Sequence, residues 1–153
     1  MAKVNYIQIC FKILKALSPR QKEVILRRFA LSVTAFPGKG GAERETLESI
    51  GKDLGITRER VRQIEKDGFL RLKPEVKKYQ KIFNYFKDCL KKTGNLRKEE
   101  LFLSELGGER LQNEVYFLLT LGEDFERFGE TKDFYSLWTI DQKSWNLAQK
   151  IIN

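Results

Sequence analysis

The clearest alternation of apolar and polar positions lies between Thr46 and Lys73. Apolar residues recur there at spacings that place them on the facing sides of two short helices. Gly51 and Gly55 stand where such helices come close and where the turn between them needs a permissive backbone. Thr57 suits the N-cap of the second helix, because its hydroxyl can accept a hydrogen bond from an exposed backbone N–H. The pattern predicts a helix-turn-helix whose inward residues are Leu47, Ile50, Leu54, Ile56, Val61 and Ile64.

The polar residues of the second helix share its outer face. Arginine can pair with guanine, glutamine with adenine, and glutamate can accept a hydrogen bond from cytosine. A solvated helix surface can carry the same residue types by chance. The apolar, glycine and capping positions nevertheless all agree with one motif, which favours DNA recognition. The outward side chains are Arg58, Glu59, Arg62, Gln63 and Lys66.

This segment resembles region four of the bacterial sigma-seventy family of transcription initiation factors. The strongest likeness is the unbroken run TRERVRQIE from Thr57 to Glu65. The resemblance covers roughly the first half of the chain. Its other shared residues are Leu17-Ser18-Pro19-Arg20, Glu23-Val24, Arg28-Phe29, Thr46-Leu47-Glu48, Ile50-Gly51 and Leu54.

The resemblance implies contact with a promoter element of the minus-thirty-five type. It implies that Arg58, Glu59 and Gln63 read bases. It further implies that Arg62 contacts a base or a phosphate and that Arg60 contacts the DNA backbone. The predicted DNA-binding residues are therefore Thr57, Arg58, Glu59, Arg60, Arg62, Gln63 and Lys66.

Two features depart from the family pattern. The family usually continues after the run with Ala-Leu and a basic pair, whereas Lys66-Asp67-Gly68 follows here. Gly68 is expected to weaken the helix by about 1 kcal/mol relative to alanine. The loop from Ser32 to Glu45, which contains Pro37-Gly38-Lys39-Gly40-Gly41, is also longer than the usual connection. Both departures bear on how tightly the motif binds DNA and which sequence it selects, and not on whether it binds DNA.

Two further helices precede the motif. The first is predicted over Val4 to Leu17, and Ser18 and Pro19 suit the N-cap and first position of the second. The resemblance implies that this part grips a flexible flap of the RNA polymerase β subunit through apolar side chains. Most of those side chains are better interpreted as core. The expected inward residues are Val4, Ile7, Cys10, Phe11, Leu14, Leu17, Val24, Ile25 and Phe29.

The second half predicts a winged helix. A domain boundary is expected at Lys73-Pro74, because proline disfavours helical geometry in the residue before it. The pattern then predicts three helices, a β-hairpin and a final helix, and it weakly resembles the winged-helix module of the polymerase delta subunit. The expected elements are a helix from Val76 ending at Gly94, one capped by Asn95 through Leu106, one over Glu109 to Leu121, strands Phe125–Phe128 and Phe134–Ile140, and a last helix capped by Asp141.

The predicted fold is therefore mainly α. Residues 1–74 are expected to form a four-helix region-four-like helix-turn-helix domain. Residues 75–153 are expected to form a small winged-helix domain with a C-terminal β-hairpin and a final helix.

Charge separates the two halves. The chain of 153 residues carries a net charge of +8, and all of this excess falls within residues 1–74. Residues 95–153 carry 7 Lys/Arg against 11 Asp/Glu, which predicts an acidic surface. Phosphate contacts dominate nucleic-acid affinity, so this acidic surface is a poor candidate for DNA binding. Its predicted reading helix sets Arg110 against Glu109 and Glu114, and its wing sets Lys132 between Glu130 and Asp133. A protein-binding or structural role is favoured for this half.

Several function classes lack support in the sequence. The chain contains no histidine, and Cys10 and Cys89 are isolated among apolar residues, which indicates reduced buried thiols and no usual zinc site. We expect no cofactor, no metal, no small-molecule substrate and no enzymatic activity. An apolar run of membrane-spanning length and a signal peptide are also missing, so we expect a cytoplasmic, nucleoid-associated protein.

Two functions remain. The first is a sequence-specific DNA-binding transcription regulator that resembles a partial sigma factor, with promoter duplex DNA and RNA polymerase, through its β-subunit flap, as partners. The alternative is a region-four mimic that binds polymerase or a sigma factor without specific DNA binding. Flap binding in the absence of DNA binding would favour the alternative.

Overall fold

The computed structural model of the protein describes residues 4–32 and 43–152. The predicted long loop with Pro37-Gly38-Lys39-Gly40-Gly41 lies outside the described residues. In chain order the elements are α1 (Tyr6–Leu14), α2 (Pro19–Phe29), α3 (Leu47–Leu54), α4 (Arg58–Val76), a 3-10 turn (Lys77–Tyr79), α5 (Gln80–Lys91), β1 (Leu96–Lys98), α6 (Glu99–Gly107), α7 (Gln112–Leu121), β2 (Glu126–Phe128), β3 (Leu137–Thr139) and α8 (Gln142–Ile152).

The first two helices begin and pack much as their sequence predicts, with one correction. Ser18 and Gln21 form a capping box at the start of α2, with Pro19 at the first helical position. In α1, however, Ile7 and Phe11 are 39% and 44% exposed, so their assignment to the core is wrong. The buried stripe of α1 is centred between Tyr6, Cys10, Ile13 and Leu14, and Ile7 and Phe11 fall at its edge.

Helix α4 crosses the predicted domain boundary. It runs without a break through Pro74 to Val76, so the helix end expected at Lys73 is wrong. Leu72 and Val76 are buried on either side of the proline, and their packing offsets the backbone hydrogen bond that proline cannot make.

One large hydrophobic core holds side chains from both sides of Pro74. Leu14 and Phe29 from the first half share it with Phe86 and Phe117 from the second. A smaller cluster of Val24, Ile50, Val61 and Ile64 lies inside the helix-turn-helix. The division into 1–74 and 75–153 as separate folding units stays a prediction, and this shared core bears directly on it.

The second half contains the helix and strand order of a winged helix. Its three strands form an antiparallel sheet in the order β1-β3-β2. Asn95 does not cap a helix as predicted. It has a left-handed φ of 71° and directly precedes β1, in which Leu96 pairs with Thr139 of β3. Asp141 lies at the start of α8, where its carboxylate accepts hydrogen bonds from Lys143 and Ser144. The predicted fold class, a helix-turn-helix followed by a small winged helix, is confirmed.

Helix α7 occupies the position of the groove-reading helix in a winged helix, yet it is a packing helix here. It contacts α1, α2 and α4 as well as α6. The Phe117 ring lies edge-on to Phe29 with their centroids 5.1 Å apart. The Asn113 side chain also donates a hydrogen bond of 3.3 Å to the Ala30 carbonyl, so α7 is joined to the end of α2.

Glu114 corrects the sequence prediction most directly. It was expected on an exposed acidic surface of the reading helix, but its side chain is fully buried. Neither carboxylate oxygen has a hydrogen-bond partner within the part of the chain that the structure describes. Burial raises the pKa of Glu114, with a smaller opposing effect from the nearby amide and hydroxyl of Ser32.

The described residues contain few other chemical groups of note. Cys10 and Cys89 are buried and form no disulfide, and burial raises the pKa of the Cys10 thiol. Within residues 4–32 and 43–152, no group of three or more potential ligands gathers into a metal site. In the same ranges no helix has both the length and the apolar character needed to cross a membrane.

Candidate nucleic-acid interface

The turn of the helix-turn-helix is fixed by its two glycines. Gly55 ends α3 with a φ of 70°, a left-handed conformation that side chains rarely adopt. The Ile56 amide donates a hydrogen bond of 2.9 Å to the Gly51 carbonyl. A Cβ atom on Gly51 would lie 2.7 Å from the Ile56 carbonyl oxygen, so only glycine allows this close approach. The turn therefore sets the angle between α3 and α4.

Hydroxyl caps begin both helices of the motif. The Ser49 amide donates to Thr46 Oγ1 at the start of α3, over 3.0 Å. The Arg60 amide donates to Thr57 Oγ1 at the start of α4, also over 3.0 Å. The predicted cap at Thr57 is confirmed, and it anchors the turn from which the reading side chains project.

The structure brings the predicted reading residues together on one exposed surface of α4, which we call the reading face. Their side chains all lie in solvent, while Val61 and Ile64 on the opposite side are buried against Val24 and Ile50. The reading face consists of Arg58, Glu59, Arg62, Gln63 and Lys66, with the exposed Arg60 beside it. Which base or phosphate each of them contacts stays a prediction.

Two contacts order the reading face before any DNA binds. Arg62 and Glu59 form an ion pair with 2.6 Å between Arg62 Nη2 and Glu59 Oε1. Arg62 lowers the pKa of Glu59, so Glu59 is ionised at neutral pH and can only accept hydrogen bonds. Arg60 Nη1 donates to Gln63 Oε1 over 3.4 Å, a weaker contact. Binding to bases would require these side chains to exchange partners.

Arg27 supports the motif from below, and the sequence reasoning missed it. Its side chain is 3% exposed and forms a bidentate ion pair with Glu45. Its Nε and Nη2 atoms each donate a hydrogen bond of 2.8 Å to the Glu45 carboxylate. It also lies 2.9 Å from Asp53 Oδ2 at the end of α3. The hydrogen bond to Glu45 is the largest cause of the raised pKa of Arg27. This guanidinium joins α2 to both ends of α3.

Arg28 plays the matching role for α4. Its Nε lies 3.1 Å from Glu65 Oε1, and its Nη1 donates to the Glu45 carbonyl over 3.0 Å. Consecutive arginines at the end of α2 were visible in the sequence, and so was Glu23 one turn before Arg27, at 3.7 Å in the structure. The shorter contacts, from Arg27 to Glu45 and from Arg28 to Glu65, join residues 18 and 37 positions apart. Only the folded chain shows which carboxylate each arginine meets.

Gly68 has a packing role that changes its interpretation. It is buried, and a Cβ atom there would lie 2.8 Å from Ile25 Cδ1 on α2. The glycine therefore lets α2 and α4 approach closely in the middle of α4. This packing offsets the loss of helix propensity expected for a glycine, and α4 stays helical on both sides of Gly68.

Comparisons with known proteins agree with this geometry. The profile of sigma-70, region 4 matches residues 13–73. The RNA polymerase sigma factor sigB of Arabidopsis thaliana is 42% identical over 62 residues, which are 40% of this chain and 9% of that protein. The RNA polymerase sigma factor SigA of Clostridium acetobutylicum is 39% identical over 62 residues, 40% of this chain and 14% of that protein.

A third relative is the RNA polymerase sigma-B factor of a Nostoc species. It is 44% identical over 61 residues, which are 40% of this chain and 16% of that protein. The chain thus spans only a small part of the length of these relatives. No solved structure matches the chain.

The matched range coincides with the motif and its supports. It begins within α1 and ends within α4, so it contains α2, the glycine turn, the Thr57 cap and the reading face. The profile match ends at residue 73, and the resemblance of the second half to the delta subunit stays a prediction. Residues 13–73 of this chain are therefore similar to sigma-70, region 4, and this similarity indicates a sigma-like, DNA-binding segment.

Proposed function

We propose that the protein is a sequence-specific transcription regulator that reads a minus-thirty-five-like promoter element through the reading face of α4. In this proposal Arg58, Glu59 and Gln63 contact bases, because their side chains match guanine, cytosine and adenine edges respectively. Arg62 contacts a base or a phosphate, and Arg60 contacts the backbone. The protein resembles part of a sigma factor and regulates transcription.

The observation that carries the proposal is the exposure of the polar side chains of α4 on one surface. Its polar residues are exposed together at the N-terminal end of the helix, which is the end that helix-turn-helix proteins insert into the major groove. The Arg28–Glu65 pair joins α4 to α2, and the buried Arg27 joins α3 to α2. The whole net charge of +8 also lies in the half of the chain that contains α4.

Selection of bound duplexes from a random pool with the full chain tests this function. We expect enrichment of one element that resembles TTGAC. The Arg58→Ala variant should lose preference at one or two base pairs of that element while it keeps its nonspecific affinity. If the wild-type chain enriches no element at low salt, the proposal of sequence-specific reading is wrong.

RNA polymerase is the proposed protein partner, and the exposed apolar edge of α1 favours it. Ile7 and Phe11 lie in solvent, and the Lys15 and Lys22 ammonium groups lie 5.0 and 5.6 Å from the centre of the Phe11 ring. We propose that this edge meets an apolar segment of polymerase, such as the β-subunit flap. Phe11→Ser should weaken binding to the isolated flap and leave DNA binding unchanged.

The second candidate is a region-four mimic that binds polymerase or a sigma factor without specific DNA binding. It would show flap binding that is lost in Phe11→Ser, together with no selected DNA element. Neither candidate includes enzymatic activity, and both place the protein with the nucleoid in the cytoplasm. Fluorescence imaging of the tagged protein with DNA staining checks that location.

A further inference from the structure

A groove beside the reading face is the strongest unassigned feature of the molecule. It has a volume of about 650 Å³ and lies between α4 and α7. One wall comes from α4, the other from the α7 residues Tyr116 and Thr120, and the floor is apolar. We call it the basic groove, after its cations Arg28, Arg44, Arg62, Lys66 and Lys73.

The charge of the basic groove is strongly one-sided. Among the described residues that line it, Glu65 is the one acid, and Arg28 already pairs with it. Lys66 and Lys73 form no ion pair with any residue in the ranges 4–32 and 43–152. Arg62 is paired with Glu59, which lies outside the groove. The remaining cations Arg44, Lys66 and Lys73 are not neutralised by an acid of the groove, so its complementary occupant is an anion.

Helix α7 holds one of these cations in place. The Arg44 guanidinium lies 3.8 Å from the centre of the Tyr116 ring, and Arg44 Nε donates to Asn113 Oδ1 over 3.3 Å. A guanidinium stacked on a ring keeps its outer face and its remaining N–H groups available. The winged-helix half thus orients a cation that belongs to the region-four half.

The spacing of the cations favours a strand over a compact anion. Arg62, Lys66 and Lys73 follow α4 for about three turns, a distance of roughly 16 Å along its axis. Cations that bind one phosphate converge on a point, whereas these form a row. The row also continues the reading face, because Arg62 and Lys66 belong to both surfaces.

We propose that the basic groove binds the sugar–phosphate backbone of DNA beside the element that α4 reads, with α7 as one wall. This inference rests on the proposed function and adds a role for the second half. Helix α7, which takes the position of the reading helix in a winged helix, contacts no bases in this proposal. It positions Arg44, through Tyr116 and Asn113, against the DNA backbone.

The test uses the full chain and a duplex that carries the selected element with flanks on both sides. Arg44→Ala and Lys73→Ala should each weaken binding about 3- to 10-fold, equally for the selected and an unrelated duplex. Each should make the dependence of log affinity on log salt shallower by about one unit, as expected for a lost phosphate contact. Lys143→Ala, which removes an exposed charge on α8, is the matched control and should change neither quantity.

Tyr116 gives a second readout that separates positioning from folding. Tyr116→Phe keeps the ring under Arg44 and should bind like the wild type. Tyr116→Leu removes the ring and should lower affinity and salt slope as Arg44→Ala does. The double variant Tyr116→Leu with Arg44→Ala should then bind duplex no more weakly than either single variant.

The outcomes distinguish the two proposals. If Arg58→Ala relaxes base preference while Arg44→Ala and Lys73→Ala leave affinity and salt slope unchanged, the groove proposal is wrong and the proposed function stands. If the wild-type chain binds no duplex, both fail. Adenosine triphosphate is the probe for a small ligand, and tight binding of it that Arg44→Ala abolishes would also overturn the strand as occupant.

Discussion

Helices α4 and α7 occupy equivalent positions in two DNA-binding folds, yet they present opposite surfaces. Helix α4 leaves its polar residues in solvent, and the Arg28–Glu65 ion pair joins it to α2. Helix α7 is buried on the side that faces α1, α2 and α4, and it carries the buried Glu114. Fold alone therefore does not identify a reading helix, whereas exposure and charge do.

The largest expected effect comes from removing the packing of α7. Phe117→Ala should lower the free energy of unfolding by about 3–5 kcal/mol. The ring is fully buried, and its removal leaves a cavity that the surrounding side chains fill only in part. Urea denaturation followed by circular dichroism measures it. Tyr135→Ala, at an aromatic side chain that is 66% exposed, is the control and should stay near the wild-type value. Equal effects would mean that α7 is not a packing helix.

Removal of the Arg27 contacts that join α2 to α3 should come next in size. Arg27→Met should lower the free energy of unfolding by about 2–3 kcal/mol, since it removes the buried guanidinium that Glu45 and Asp53 share, while both carboxylates are partly exposed. Arg20→Met, the same change at an exposed position on α2, should cost less than about 0.5 kcal/mol. A harmless Arg27→Met would show that the buried charge does not hold the motif together.

On the reading face, Arg58→Ala and Gln63→Ala should each cost about 1–3 kcal/mol of binding free energy for the selected element. The loss should be confined to one or two base pairs, as fluorescence anisotropy on single-substituted duplexes can show. Lys66→Ala is the contrasting variant and should weaken all duplexes about equally. Uniform losses from Arg58→Ala and Gln63→Ala would make them phosphate contacts.

The smallest effect concerns the buried carboxylate of α7. Glu114→Met should raise the free energy of unfolding by about 1 kcal/mol at pH 7, because it removes a carboxylate whose burial is costly and is only partly offset by the nearby Ser32. The pKa of Glu114 is raised in the folded state, so the wild type loses stability as pH rises through that pKa. The difference between the two proteins should therefore shrink towards pH 4.5. A gain that is constant with pH would assign the effect to packing alone.

Local signals in the sequence predicted the motif well, because each has a local physical cause. Thr57 caps its own helix, and Gly51 and Gly55 shape a turn that their neighbours complete. The reading face follows from helical periodicity once the buried Val61 and Ile64 are recognised. Such features depend on a few adjacent residues.

The features that the sequence missed depend on distant partners. Strand β1 has three residues and exists because β3, some forty positions later, pairs with it. Helix α4 passes through Pro74 because the core holds Leu72 and Val76. The burial of Glu114 and the exposure of Phe11 likewise reflect where α7 and α1 meet. Neither periodicity nor propensity contains this information.

One measurement tests the central comparison most directly. A photoreactive benzoylphenylalanine is placed at Gln63 on α4 or at Gln112 near the start of α7, and the full chain is crosslinked to the selected duplex. We expect crosslinks from position 63 to bases within the element and none from position 112. Crosslinks to bases from position 112, with none from position 63, would contradict this expectation.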